Sequence, residues 1–142
     1  MFAKQLTVFI ENRTGRLSEV LSVLKENDVN IISMSLADTT EYGLLRLIVN
    51  DPVKGKEKLT EGGFSSLLSD VTVIKIPHRS GSLQGLLKII DNKKVNIEYM
   101  YGLSVEGDNA YVVLKASDIN MLDAILSENN IETVSCEQIV GM

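Results

Sequence analysis

Over residues 5–10 apolar and polar side chains alternate, with Leu6, Val8 and Ile10 on one side and Gln5, Thr7 and Phe9 on the other. That two-residue period predicts a half-buried strand. The period then changes. Leu17, Val20, Leu21 and Leu24 fall at i, i+3, i+4 and i+7, one apolar stripe of a helix over residues 16–27. A second strand is expected over 29–36 and a third around Leu45, Leu47 and Val49. Asp51 followed by Pro52 is a helix start, with aspartate as N-cap and proline in the first turn. A last strand closes the segment near residues 64–69.

The pattern is written twice. Gly15 and Gly81 stand 66 residues apart, and at the same offset Arg13 meets Arg79, Thr14 meets Ser80 and Leu17 meets Leu83. The second helix stripe is Leu83, Leu86, Leu87 and Ile90, and Val29-Asn30-Ile31 meets Val95-Asn96-Ile97. After one inserted residue the offset is 67, matching Leu45, Leu47 and Phe64 to Val112, Leu114 and Ile131. Loop chemistry and buried stripe repeating together indicate an internal duplication. The second half should hold a strand over 71–76, a helix over 82–92, strands over 95–103 and around Val112 and Leu114, a helix capped by Ser117 or Asp118 with Leu122, Ile125 and Leu126 inward, and a closing strand over 131–138.

Each half is therefore βαββαβ, an α+β class pattern of the ferredoxin-like type, with a first domain over residues 1–69 and a second over 70–142. No linker separates them, and Ser69-Asp70 reads as a turn. We expect a single eight-stranded antiparallel sheet with the helices on one face.

Composition narrows the function. The 142 residues are 44% hydrophobic and carry a net charge of -5, with a pI near 4.9, which argues against a nucleic-acid partner because phosphate contacts need a basic face. No run of about 20 apolar residues predicts a membrane span, and the amino terminus reads as a strand rather than a secretory signal, so a cytoplasmic protein is expected. One cysteine, Cys136, and one histidine, His78, offer neither an intrachain disulfide nor a thiolate metal cluster. No HExxH, GxSxG or phosphate-loop pattern occurs. We expect no cofactor, no metal and no catalytic set.

A half of this length, with Asn-Arg-Thr-Gly-Arg-Leu after its first strand and Val-Asn-Ile opening its second, resembles the ACT domain, a family that binds amino acids and regulates metabolism. The stretches IENRTGRLSEVLSVLKENDVNIISMSLADT and YGLLRLIVNDP are similar to proteins made of two ACT domains and nothing else. The resemblance implies that the loop after a first strand and the opening of a second strand in a neighbouring domain enclose the ligand. By position this points to Asn12, Arg13, Thr14, Gly15, Arg16 and Leu17 with Asn30 and Ile31, and to His78, Arg79, Ser80, Gly81, Ser82 and Leu83 with Asn96 and Ile97. Ser33 and Met34 in one half, and Tyr99 and Met100 in the other, would line the remaining walls. Backbone N–H groups around Gly15 or Gly81, at a helix start, suit a carboxylate. Polar groups at the strand openings suit an ammonium. The family often has proline before the loop glycine, where this chain has Thr14 and Ser80.

Each of these residues also has a plainer role. Gly15 and Gly81 ease a tight turn by accepting positive φ. Arg13, Arg16 and Arg79 are solvated loop charges or partners of an anion. Asn30 and Asn96 are turn residues or site side chains, and His78 is a solvated side chain. Cys136 is a small buried hydrophobe in a strand, and Tyr99 and Tyr101 are core residues or a pocket wall. The leading expectation is a non-catalytic amino-acid sensor whose ligand, bound between the halves, biases a homodimer or a regulated enzyme partner. Alternatives are an acylphosphatase-like hydrolase with an arginine loop after the first strand, and a purely structural interaction module. An RNA-binding sheet lacks the stacking aromatics it would need.

Overall fold

The computed structural model describes residues 2–11, 13–38 and 42–140. Two compact units divide at Ser69 and Asp70, the first holding Lys4–Ser69 and the second the chain from Asp70 on, with Ala3.

The first unit contains β1 (Ala3–Glu11), α1 (Arg16–Glu26), β2 (Ile31–Asp38), β3 (Tyr42–Val49), α2 (Pro52–Glu61) and the start of β4 (Ser65–Pro77). Its strand order is β2-β3-β1-β4. Leu6 faces Leu47 and Val8 faces Leu45 across the antiparallel β1–β3 pair. These four side chains meet Val20 and Leu24 of α1 and Leu59 of α2 in one core, so both helices cover the same sheet face. The opposite face of β1 is not the polar face that alternation predicts. Gln5 and Thr7 are buried as well, and the Gln5 amide donates to Thr7 Oγ1 at 2.9 Å, which meets part of the need of two polar groups out of water.

The second unit continues β4 and adds α3 (Ser82–Asn92), β5 (Ile97–Glu106), β6 (Asn109–Ala116), α4 (Ile119–Glu128), β7 (Glu132–Thr133) and α5 (Cys136–Val140). Its order is β4-β6-β5, with β7 also pairing β4. Ile74, Val112 and Leu114 pack against Leu86 and Ile90 of α3 and Leu122, Ile125 and Leu126 of α4.

The helix boundaries follow local chemistry. Asp51 Oδ1 accepts the Lys54 N–H at 3.1 Å, as the sequence predicts, and Asp118 Oδ1 accepts the Met121 N–H at 3.0 Å, which decides between the two caps, Ser117 and Asp118, that the sequence offers. All four long helices end the same way. The residues after the C-caps, Asp28, Gly63, Lys94 and Asn130, have positive φ. The next residue then donates back to the third-last helical carbonyl: Val29 to Leu24, Phe64 to Leu59, Val95 to Ile90 and Ile131 to Leu126. These are Schellman ends, and both residues of each pair belong to or pack against one core.

Three expectations are corrected. Seven strands form among the described residues, not eight, because β4 runs unbroken through Ser69 and Asp70 where a turn was expected. No glycine or proline interrupts residues 65–76, and Val71, Thr72, Val73 and Ile74 favour extended backbone. The closing strand expected over 131–138 shrinks to β7, and Cys136 begins a helix instead of lying in a strand. Ser135 and Gln138 cap that helix reciprocally, the Gln138 N–H donating to Ser135 Oγ at 3.3 Å and the Ser135 N–H to Gln138 Oε1 at 2.9 Å. This is a capping box. Finally, β2 and β5 begin at Ile31 and Ile97 rather than at Val29 and Val95, because the Schellman turns use Val29 and Val95.

Candidate functional site

Gly15 and Gly81 each stand as N-cap with φ of 90° and 85°, and neither helix has a side-chain cap. The turn role of both glycines is therefore present, since an L side chain adopts this backbone only with strain. Glu19 and Gly85 return their N–H groups to Gly15 and Gly81. The N–H groups of Leu17 and Ser18, and of Leu83 and Gln84, take no partner among the described residues. Unbonded donors at a helix N-terminus are suited to an anion.

The loop arginines are differently placed. Arg13 is exposed and pairs with Glu11 at 2.8 Å. Arg16 pairs with Glu19 at 2.6 Å, is only 17% exposed, and lays its guanidinium 4.3 Å from the centre of the Phe64 ring. That is a packing role with a cation–π contribution. Ser82 and Ile131 hold the equivalent positions in the second half, so it is not repeated. Arg79, Thr14, Ser80 and His78 are exposed, and the His78 N–H donates to the Asp108 carbonyl at 2.7 Å. Ser82 and Leu83 are partly buried at the start of α3. Asn12 lies outside the described residues.

The strand openings are fixed by reciprocal bonds that sequence analysis did not find. The Asn30 N–H donates to Asn50 Oδ1 at 2.8 Å, and the Asn50 N–H donates to the Asn30 carbonyl at 3.1 Å. In the second half the Ser117 N–H donates to the Asn96 carbonyl at 3.0 Å, while the Asn96 side chain donates to Ser117 Oγ at 3.3 Å. Asn50 and Ser117 are themselves repeat equivalents, 67 residues apart. Both openings also break register just beyond, between Ile31 and Ser33 and between Ile97 and Tyr99, as bulges beside functional sites commonly do. Ser33 is half-buried and Met34 exposed. Tyr99 and Tyr101 stack with ring centres 6.5 Å apart, and Met100 packs on the second core.

Loop and opening do not meet within a unit. α1 and α3 are each 11 residues long, so about 16 Å separates Gly15 from Asn30, and Gly81 from Asn96, along the helix. What the first unit does assemble is a cleft of about 400 Å³ at the far end of α1, lined by Leu21, Leu24, Lys25, Asp28, Val29, Asn30 and Ile31. Of these, the sequence had pointed only to Asn30 and Ile31. Among the described residues no group of three or more histidine, cysteine, aspartate or glutamate side chains could hold a metal ion. No helix of the described residues is long and apolar enough to cross a membrane.

The family profile described as ACT domain pair matches residues 1–142. The chain belongs to this family. A crystal structure of a Bacteroides thetaiotaomicron protein is similar at 32% identity with a TM-score of 0.94, covering 100% of this chain and 98% of that one. The regulatory subunit of aspartate kinase from Thermus thermophilus, in a ligand-free form, has a TM-score of 0.64 at 14% identity over 87% of each chain. Its counterpart from Thermus flavus has a TM-score of 0.61 at 15% identity, covering 87% of this chain and 88% of that one. At those identities the aspartate kinase subunits show that this ACT domain pair shares their fold. No curated protein matches the chain.

Proposed function

We propose that this ACT domain pair is a non-catalytic regulatory protein that binds a free amino acid and transmits its presence to an enzyme partner or to a second copy of the chain. Membership of the ACT domain pair family and a fold shared with regulatory subunits support a ligand-binding regulatory role. The candidate contacts are the two polar loops, with their unbonded first-turn N–H groups, and the two strand openings. One observation carries most weight. The opening of β2 is held by the backbone of Asn30 and the side chain of Asn50, which leaves the exposed Asn30 amide beside a cleft already formed. Pre-ordering of this kind lowers the entropy lost on binding.

The hydrolase alternative loses its main support, because the arginines after β1 are paired with Glu11 and Glu19 rather than presented to a phosphate. Regulation then requires only that the ligand prefer one arrangement of the partner assembly.

A thermal-shift screen of the full chain against the twenty proteinogenic amino acids tests the proposal. A native-state ligand at 100 times its dissociation constant stabilises by about 2.7 kcal/mol, so at least one amino acid should raise Tm in a dose-dependent way. A flat response to all twenty at millimolar concentration would remove the sensor function.

A further inference from the structure

We infer that the cleft at the C-terminal end of α1 is itself a zwitterion site, holding an L-amino acid with an aliphatic side chain. The ligand carboxylate would sit on the Lys25 ammonium and the ligand ammonium on the Asp28 carboxylate. The inference rests on the amino-acid function proposed above. In the first unit it assigns the carboxylate to Lys25 instead of the Gly15 loop, which lies at the other end of an 11-residue helix.

Asp28 is the starting point, because its charge is at odds with the helix end on which it stands. It has φ 55° at a Schellman position where α2 uses Gly63, a left-handed backbone that aspartate and asparagine tolerate better than other residues with a side chain. Its carboxylate also stands at the negative end of the α1 dipole, where anions are unfavourable. The equivalent residue of the second half, Lys94, suits that dipole. Asp28 forms no ion pair with another described residue. Residues that break local rules without a compensating contact are where function is expected.

Lys25 completes the set. It lies three residues before Asp28, also lines the cleft, and it too has no ion-pair partner among the described residues. A cationic and an anionic side chain lining one cleft match the two charges of an amino acid. Leu21 and Ile31, with the buried Leu24 and Val29, supply the apolar part of the lining. The volume of about 400 Å³ lies within the usual range for small-molecule sites, about 300–1,000 Å³. The second unit does not reproduce the arrangement. There the charges are inverted to Asp91 and Lys94, and the Asn96 amide is bound to Ser117.

Titration calorimetry of the full chain with L-leucine, 4-methylpentanoate and L-leucinamide tests the site. L-leucine should bind, and both analogues, each lacking one charge, should bind at least tenfold more weakly. Lys25→Gln and Asp28→Asn should each weaken L-leucine about tenfold or more, while Lys94→Gln should leave its affinity unchanged. Asp28→Gly should raise Tm and lose binding together, an opposition that a purely structural residue would not give. Wild-type affinity in both Lys25→Gln and Asp28→Asn would overturn the site, and binding of a charged amino acid in preference to L-leucine would overturn its aliphatic specificity. If none of the twenty amino acids binds the wild-type chain, the amino-acid function itself falls.

Discussion

Asn30 and Asn50 hold each other twice, the Asn30 N–H on the Asn50 side chain and the Asn50 N–H on the Asn30 carbonyl. Only the Asn50 side chain is used. The two asparagines therefore separate fold from function. Asn50→Ala should lower stability by about 1 kcal/mol, the net worth of a hydrogen bond plus an orphaned N–H. Asn30→Ala keeps both bonds and should change stability by less than about 0.5 kcal/mol, yet weaken ligand binding. Urea denaturation of the two variants, paired with a binding isotherm, checks the split.

The Schellman ends give a second pair of variants. Lys94 holds a left-handed backbone with a long side chain. Lys94→Gly should stabilise the chain by about 0.5–1 kcal/mol, the relief of left-handed strain less the greater freedom of glycine when unfolded. Gly63→Ala should do the reverse, costing about 1 kcal/mol, although a Cβ there would meet nothing within 4 Å. Equal and unchanged midpoints in denaturant for both variants would contradict this account of the helix ends.

Much of this architecture was legible because it rests on periodicity. The stripes of Leu17, Val20, Leu21 and Leu24, and of Leu83, Leu86, Leu87 and Ile90, and the caps Asp51 and Asp118, are signals carried within a few residues. The continuous β4 was missed because Ser69 and Asp70 resemble turn residues, and only pairing with neighbouring strands overrides them. The capping box at Ser135 and Gln138 was readable, but the alternation of residues 131–138 outweighed it. The clamp between Asn30 and Asn50 joins residues 20 apart, beyond any local pattern. Lys25 and Asp28 carry no signal in the sequence, since neither the positive φ of Asp28 nor the cleft beside it shows there.

The capping box also sets an expectation for the carboxy-terminal segment. Ser135→Ala removes the Oγ that accepts the Gln138 N–H and should cost about 1 kcal/mol. Because α5 buries Ile139, Ile139→Ala should cost more, about 2–4 kcal/mol. Hydrogen exchange should show α5 and β7 opening together in both variants.

Thr72 is fully buried, and its hydroxyl has no partner among the described residues. Thr72→Val keeps the branched shape and removes an unmet polar group, so it should raise stability by about 1 kcal/mol. A loss of stability in thermal unfolding would mean that the hydroxyl is bonded.

The most direct measurement of amino-acid sensing is an amide-resolved NMR titration of the ¹⁵N-labelled full chain with each proteinogenic amino acid to millimolar concentration. At least one amino acid should shift the amides of Asn30 and Ile31 saturably, with Asp28 and Val29 among the residues that move. Contradiction would come from twenty titrations without saturation, or from saturable shifts that leave both strand openings and both polar loops unchanged.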